Sequence, residues 1–519
     1  MGTFSPSGRS RTVLGWLALG VALAALQSIW SLSLPLMASP DEPSHVVRAA
    51  AVARGQWSGT PGTARTDPSQ PGPSATVELP SDYLALSKLS DCFAHLPDQP
   101  ASCQSAVPAP DGTTVAVGTF AGEYPPLYYL LVGWPSRFLS ATASTYAMRL
   151  VSGLLTAALL VWGLFRLRTV TRPAVWTWAA VAALTPMTLF VGGMVNPQSL
   201  EISSAFAFWA ACLALVRAPG APSRAAVTQA AVAGALLVNT RTSGPVWALT
   251  IAVVALVLAP KGRLRLLWDA RPVRWAVVAA VAAGLVAGAW VATHGAIVTS
   301  GTRFAEYASP LRAAWFELAQ TSEHLLQMIG NYGWLDAPSP TLTVFVWTVL
   351  VGTLLVLAVA AGSERRVRTG LLLSILAVVA VPVALQMPTA VDTGLIWQGR
   401  YTLPAAVGVP MVAAVALTSV AGTLDEIVRR IVRWLALPAV AVGHVAAFWW
   451  AMRRYAVGID GRFVTRTPDW SSPLGYLTAV AVYAIPVAVL VCVAWYWHRP
   501  AGTARIPVPA DERVTQPAA

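Results

Sequence analysis

The chain has 519 residues, of which 56% are apolar and only 11% charged, with a formal net charge of +12. A soluble domain carries roughly 25% charged residues, so water is excluded as the main solvent. The basic excess sits in short loops between apolar runs, which makes it a topology signal rather than a nucleic-acid surface.

The first apolar run, Thr12–Leu34, is long enough for a hydrocarbon core that needs about 20 residues. No small-residue cleavage site precedes Pro40, so the run is expected to stay as an anchor. A long loop follows, residues 35–145, opening on Asp41-Glu42-Pro43-Ser44-His45-Val46-Val47-Arg48. An acidic cap followed by proline at a first helical position predicts a short interfacial helix that ends at Gly55. Residues Gly59–Pro80 read as irregular because they are rich in Pro, Gly, Ser and Thr, and Thr113–Phe120 reads as a strand. The loop returns to the membrane through a second interfacial segment, Glu123-Tyr124-Pro125-Pro126-Leu127-Tyr128-Tyr129. Cys92 and Cys103 form a candidate disulfide in an oxidising compartment. Two free thiols are the alternative, and a metal site would want more ligands than the loop offers.

Further crossings are expected near Tyr146–Phe165, Val175–Met194, Leu200–Leu215, Trp275–Val298, Thr341–Ala361, Leu371–Met387, Leu403–Val420, Leu435–Trp450 and Gly475–Trp497. Two shorter runs, Ala226–Asn239 and Gly244–Leu258, flank Thr240-Arg241-Thr242-Ser243. They read as two thin crossings or as one re-entrant hairpin. Backbone groups in lipid must be satisfied within a segment, which makes these runs helices, and the lack of strict alternation excludes a β-barrel. The expected fold class is therefore all-α and polytopic, with about 12 transmembrane helices. Four parts follow: a cytoplasmic N-terminus (1–11), a transmembrane module (12–420), C-terminal helices (421–497) and a tail (498–519). The loops assigned to the inside hold 21 of the 35 basic residues and 6 of the 23 acidic ones, a net of +15 against −3 elsewhere. That asymmetry puts both termini in the cytoplasm of a cell membrane.

Chemistry is expected on the outer face, since the inner loops are short, basic and featureless. Asp41 and Glu42 are two adjacent carboxylates at a helix start, able to accept a proton from a hydroxyl or to hold a divalent cation. His45 and Arg48 share a face with Asp41 by helical spacing. A helix cap with solvated charges is the plain alternative. Tyr124 and Tyr128, and Trp334 beside Asp336, fit an aromatic interface belt as well as a binding surface. Arg400, between Gln398 and Tyr401, is suited to clamp a phosphate, with snorkelling as the alternative. Asn196 and Gln198 lie at an outer turn, and Glu201 lies at membrane depth, where an unpaired carboxylate is expensive. Arg241 interrupts two short helices, as broken helices at binding sites do. No Gly-Lys-Ser/Thr phosphate loop is present, because Lys88 and Lys261 precede Leu89 and Gly262.

Pro40-Asp41-Glu42-Pro43-Ser44-His45, Val195-Asn196-Pro197, Gly333-Trp334-Leu335-Asp336 and Gln398-Gly399-Arg400-Tyr401-Thr402-Leu403-Pro404 occur in that order. Together they resemble a bacterial membrane family known as domain of unknown function 2142. With an acidic residue after the first crossing, a long outer loop and Pro-Pro-Leu-Tyr-Tyr before the second, the chain also looks like the C-type-fold glycosyltransferases. That resemblance implies a polyprenyl-phosphate sugar donor, a glycan or glycolipid acceptor, and inversion at the sugar carbon. It implies Asp41 as general base with Glu42 in support, and Arg400 with Tyr401 at the phosphate. His45, Arg48, Tyr124, Tyr128, Asn196, Gln198, Glu201, Arg241, Trp334, Asp336 and Gln398 would line the substrate site. Where an acidic residue is expected after Asn-Pro, this chain has Gln198, which leaves Glu201 as its substitute. A transporter or flippase of lipid-linked glycans, or a non-catalytic assembly partner, is the competing reading. Clustering of charge at outer helix ends rather than mid-membrane favours the enzyme.

Overall fold

A computed structural model describes residues 6–61, 75–294, 303–361, 364–418 and 423–498. The expected tail beyond residue 498, and parts of the runs read as Gly59–Pro80 and Trp275–Val298, lie outside them. Among the described residues nine helices are long and apolar enough to cross a membrane: Thr12–Ser33, Ala141–Leu167, Gln198–Arg217, Arg271–His294, Thr341–Ala361, Arg365–Gln386, Gly399–Thr418, Asp425–Val457 and Tyr476–Trp497. Two helix pairs reach that length only together, bent by 62° between Pro173–Ala183 and Pro186–Gly192, and by 119° between Gly244–Leu258 and Arg263–Asp269. The first bend follows from Pro186, which forces Thr185 into an extended conformation; the Thr185 hydroxyl then caps the new helix by accepting from the Thr188 N–H. At the second, Gly262 takes a left-handed conformation, φ 79°, that ends the crossing.

Arg224–Val238 is a shorter apolar helix packed against Gly244–Leu258. Its 15 residues span about 22 Å, short of a roughly 30 Å hydrocarbon core. The two helices meet at the Arg241 turn. The last helix, Tyr476–Trp497, packs on the first, Pro6–Ser33, where Trp30 Nε1 donates to the Tyr483 hydroxyl at 3.2 Å.

The long first loop folds over one end of this bundle. Glu42–Ala53 is a buried helix, with Val46, Ala49, Ala50 and Ala51 fully inaccessible. It lies against an antiparallel sheet of Thr60–Pro61, Ala75–Pro80 and Thr114–Thr119, in which Ala75 faces Thr119 and Pro80 faces Thr114. The strand Ala75–Pro80 corrects the expectation of an irregular run. Val77 and Leu79 point inward while Glu78 points out, a period of two hidden by the proline- and glycine-rich residues before it. Cys92 and Cys103 are joined in a disulfide, and Cys212 and Cys492 are free thiols.

Candidate active site

The segment between the first crossing and Asp41 is held carbonyl by carbonyl. Arg149 donates to the carbonyls of Leu34 at 3.0 Å and Pro35 at 2.8 Å. Gln104 Nε2 takes that of Leu36 at 2.8 Å, Trp334 Nε1 that of Met37 at 3.0 Å, and the Tyr455 hydroxyl that of Ala38 at 2.6 Å. The Glu42 N–H binds the Ser39 carbonyl, and Asn196 Nδ2 reaches that of Pro40 at 3.3 Å. A buried, irregular backbone must satisfy each of its polar groups. Here the side-chain donors come from five distant parts of the chain, so the turn carrying Asp41 is fixed before any ligand arrives.

Asp41 itself sits in the left-handed region at φ 67°, a conformation that costs an L-residue roughly 1–2 kcal/mol. Its side chain caps no N–H of the helix it precedes. Instead its Oδ2 accepts from Arg400 Nη2 at 2.7 Å, while about 30% of the carboxyl side chain stays exposed. Arg400 is 1% exposed, and its Nε and Nη1 have no hydrogen-bond partner among the described residues. Two nitrogens of this buried guanidinium thus stay without a partner beside a partly exposed carboxylate, the donor chemistry that suits an anionic oxygen. The approach of Arg400 depends on Gly399, where a Cβ would lie 2.2 Å from the His324 carbonyl oxygen and whose N–H donates to Gln327 Oε1 at 2.7 Å.

Glu42 is directed elsewhere. It is fully buried, and Arg149 grips it through Nε at 2.7 Å and Nη2 at 2.6 Å; the Val195 N–H adds a third bond at 3.1 Å. Glu42 therefore braces the turn from beneath, its carboxylate turned to Arg149 and the Val195 N–H.

Around Asp41 and Arg400 the remaining charges converge. The Arg241 guanidinium lies 4.8 Å from the Tyr401 ring centre and 5.9 Å from that of Tyr124; Arg400 lies 5.2 Å from Tyr401. Two cations thus flank one aromatic ring. Arg241 pairs with Glu201 Oε2 at 3.2 Å, and the Ser243 hydroxyl donates to Glu201 Oε1 at 2.5 Å. His45 bonds the Tyr129 hydroxyl at 3.0 Å and faces the charges of Asp41, Arg241 and Arg400. Burial pushes its imidazole down to about 3, so it is neutral at pH 7. Gln198 is 1% exposed with both amide atoms unpartnered among the described residues, and Gln398 Oε1 is likewise buried and unpartnered.

Four residues expected to line a substrate make hydrogen bonds or ion pairs within the fold, although Arg48 Nε has no partner among the described residues. Arg48 donates to the carbonyls of Trp57 at 2.7 Å and Tyr124 at 3.1 Å. The fully buried Tyr128 bonds Ser152 at 3.1 Å. Asp336 holds Arg454 at 2.7 Å, and Trp334 holds Met37. Asn196 also acts through the backbone, its Oδ1 accepting from the Gln198 N–H at 3.0 Å. Sequence reading passed over Arg149, Tyr129, Ser243 and Tyr455. Only Arg149 carried a signal, a cation inside an apolar crossing that must find a partner. Among the described residues no group of three or more His, Cys, Asp or Glu side chains is placed to hold a metal ion.

The fold and site together define a multi-pass helical membrane protein with a cation-rich, carboxylate-bearing cluster at one end of its bundle. The chain belongs to a family of predicted membrane proteins, DUF2142, whose family model matches residues 25–409. Among solved structures it is similar to ArnT from Cupriavidus metallidurans bound to undecaprenyl phosphate. That match has 15% identity and a TM-score of 0.45, covering 93% of this chain and 77% of that one. The apo state of the same protein gives 16% identity and a TM-score of 0.42, covering 94% and 77%. No curated protein matches the sequence.

Proposed function

We propose that the chain transfers a sugar from a polyprenyl-phosphate donor to a glycan or glycolipid acceptor at the extracytoplasmic face of the cell membrane, with Asp41 as general base. The catalytic module is residues 12–420, and the C-terminal helices support it. The observation that carries this reading is the Asp41–Arg400 pair, in which a partly exposed base meets a guanidinium with two nitrogens that lack a partner among the described residues. The donor phosphate takes Arg400 Nε and Nη1, with Tyr401 and Arg241 alongside. The acceptor hydroxyl attacks the anomeric carbon, its proton passes to Asp41, and the bond from that carbon to the phosphate oxygen breaks with inversion. A lipid phosphate leaves without protonation, so one base and a steadied phosphate suffice. Neutral His45 and the amides of Gln198 and Gln398 supply hydrogen bonds to sugar hydroxyls without adding charge.

The test is sugar transfer by the purified protein in proteoliposomes loaded with polyprenyl-phosphate sugars. Asp41→Asn should slow transfer about 10²–10⁴-fold, the usual cost of losing a general base. Arg400→Lys should raise KM for the donor more than it lowers kcat, since a point charge replaces a planar fork. Asp41→Asn transferring as well as wild type would overturn the reading. Wild type that moves lipid-linked sugar across the bilayer without transferring it would replace the enzyme with a transporter.

A further inference from the structure

At the membrane face remote from Asp41, a cleft of about 90 Å³ opens between the first and last helices, lined almost wholly by apolar side chains, among them Leu23, Ala180, Val440 and Leu490. Its mouth is not apolar. Trp176 and Trp497 line the cleft, and both pack on Trp16, at 5.9 and 5.1 Å between ring centres. The exposed Arg168 guanidinium lies 5.5 Å from the Trp16 ring. On the other side Thr177, also lining the cleft, bonds His498 Nε2 at 2.6 Å. Arg433 donates to the His498 carbonyl and stacks 4.1 Å from the Trp495 ring. Arg433 Nε and Trp16 Nε1 have no hydrogen-bond partner among the described residues. Asp425 is the acidic group facing His498, together with Arg429, whose own charge is paired with Glu426.

An apolar slot of this kind accepts hydrocarbon chains, while two guanidiniums and unpartnered N–H donors at its rim call for an anionic oxygen at headgroup depth. We propose that this cleft is a binding site for one anionic phospholipid of the leaflet opposite the candidate active site. Its acyl chains lie between the first, Pro173–Ala183 and last helices, and its phosphate sits between Arg168 and Arg433. Nothing in this inference depends on the sugar-transfer reading. Its consequence is structural: the lipid would fill the seam where the last helix meets the first and complete the closure of the bundle there.

The full-length protein, purified in mild detergent, should retain one phosphatidylglycerol in native mass spectra, and added phosphatidylglycerol should raise its Tm. Phosphatidylcholine and soluble glycerol phosphate should do neither, which separates an anionic lipid from lipid in general and from phosphate alone. Arg168→Gln and Arg433→Gln should each weaken retention roughly fivefold, the worth of one basic side chain at a lipid surface. Ala180→Trp, which fills the slot, should abolish both the adduct and the Tm response. If that variant does not fold, the arginine pair decides. Equal retention of phosphatidylcholine, or an adduct undiminished in the double arginine variant, would overturn the proposal.

Discussion

Asp41 and Glu42 are neighbours, yet amidation should affect them differently. Asp41 accepts from Arg400 through one oxygen, so an asparagine can present its own carbonyl oxygen to the same donor. Glu42 accepts from Arg149 through both oxygens, with no solvent to relieve a mismatch. Glu42→Gln would face one guanidinium N–H with an amide N–H and leave Arg149 uncompensated. Removing one partner of a buried pair costs about 3–5 kcal/mol. Glu42→Gln should therefore lower the Tm and the amount of protein accumulated more than Asp41→Asn, whose partly exposed site lets water relieve Arg400, while Asp41→Asn reduces activity. Thermal melting of the two variants side by side checks this, and equal destabilisation would contradict the division of roles. The sequence made both carboxylates visible but not their directions. What separates them is a left-handed residue and partners 107 and 359 positions away, which local spacing cannot show.

At the scale of elements, the apolar periodicities were legible and the polar bracing was not. The helix after Asp41 and the strand near residue 114 both lie where the pattern put them. The family motifs were visible as strings of residues, but their common purpose was hidden. Trp334 and Asn196 meet on the same short backbone segment from motifs separated by well over a hundred residues. The helix pair Pro310–Ala319 and Thr321–Ile329 carries one further consequence. Glu317 is 1% exposed, 3.5 Å from the His324 ring, and lacks a hydrogen-bond partner among the described residues. Burial raises its carboxyl to about 7 from the ordinary 4.5. The folded state then holds a proton that the unfolded chain has released. Stability from this group is full below pH 4.5 and is lost as the pH rises to about 7. Glu317→Gln, which stays neutral, should be no more stable than wild type at pH 4.5 but more stable at pH 8. Melting curves at those two pH values would refute this if wild type and variant changed in parallel.

For the whole molecule, the decisive quantity is the distribution of charge across the membrane. The inner loops assigned from sequence hold a net +15, and the long outer loops are slightly acidic. Juxtamembrane arginines resist translocation during insertion, so this asymmetry should fix one orientation. The described parts of the loop 35–145 belong to the Asp41 end of the bundle, and its disulfide fits an oxidising compartment there. The opposite end carries Arg168, Arg263 and Arg433. The prediction is read with single cysteines in intact cells, on a background in which Cys212 and Cys492 are replaced and the loop disulfide is kept. Cysteines at Ser58 and Gly112, both exposed at the Asp41 end, should react with a membrane-impermeant thiol reagent. One at Gly262, exposed at the other end, should react only after the cells are permeabilised. The reverse pattern would put Asp41 in the cytoplasm, where nucleotide sugars rather than lipid-linked ones are the common donors, and would remove the rationale for a polyprenyl-phosphate substrate. Labelling at both ends without permeabilisation would mean dual insertion, contrary to an orientation set by charge.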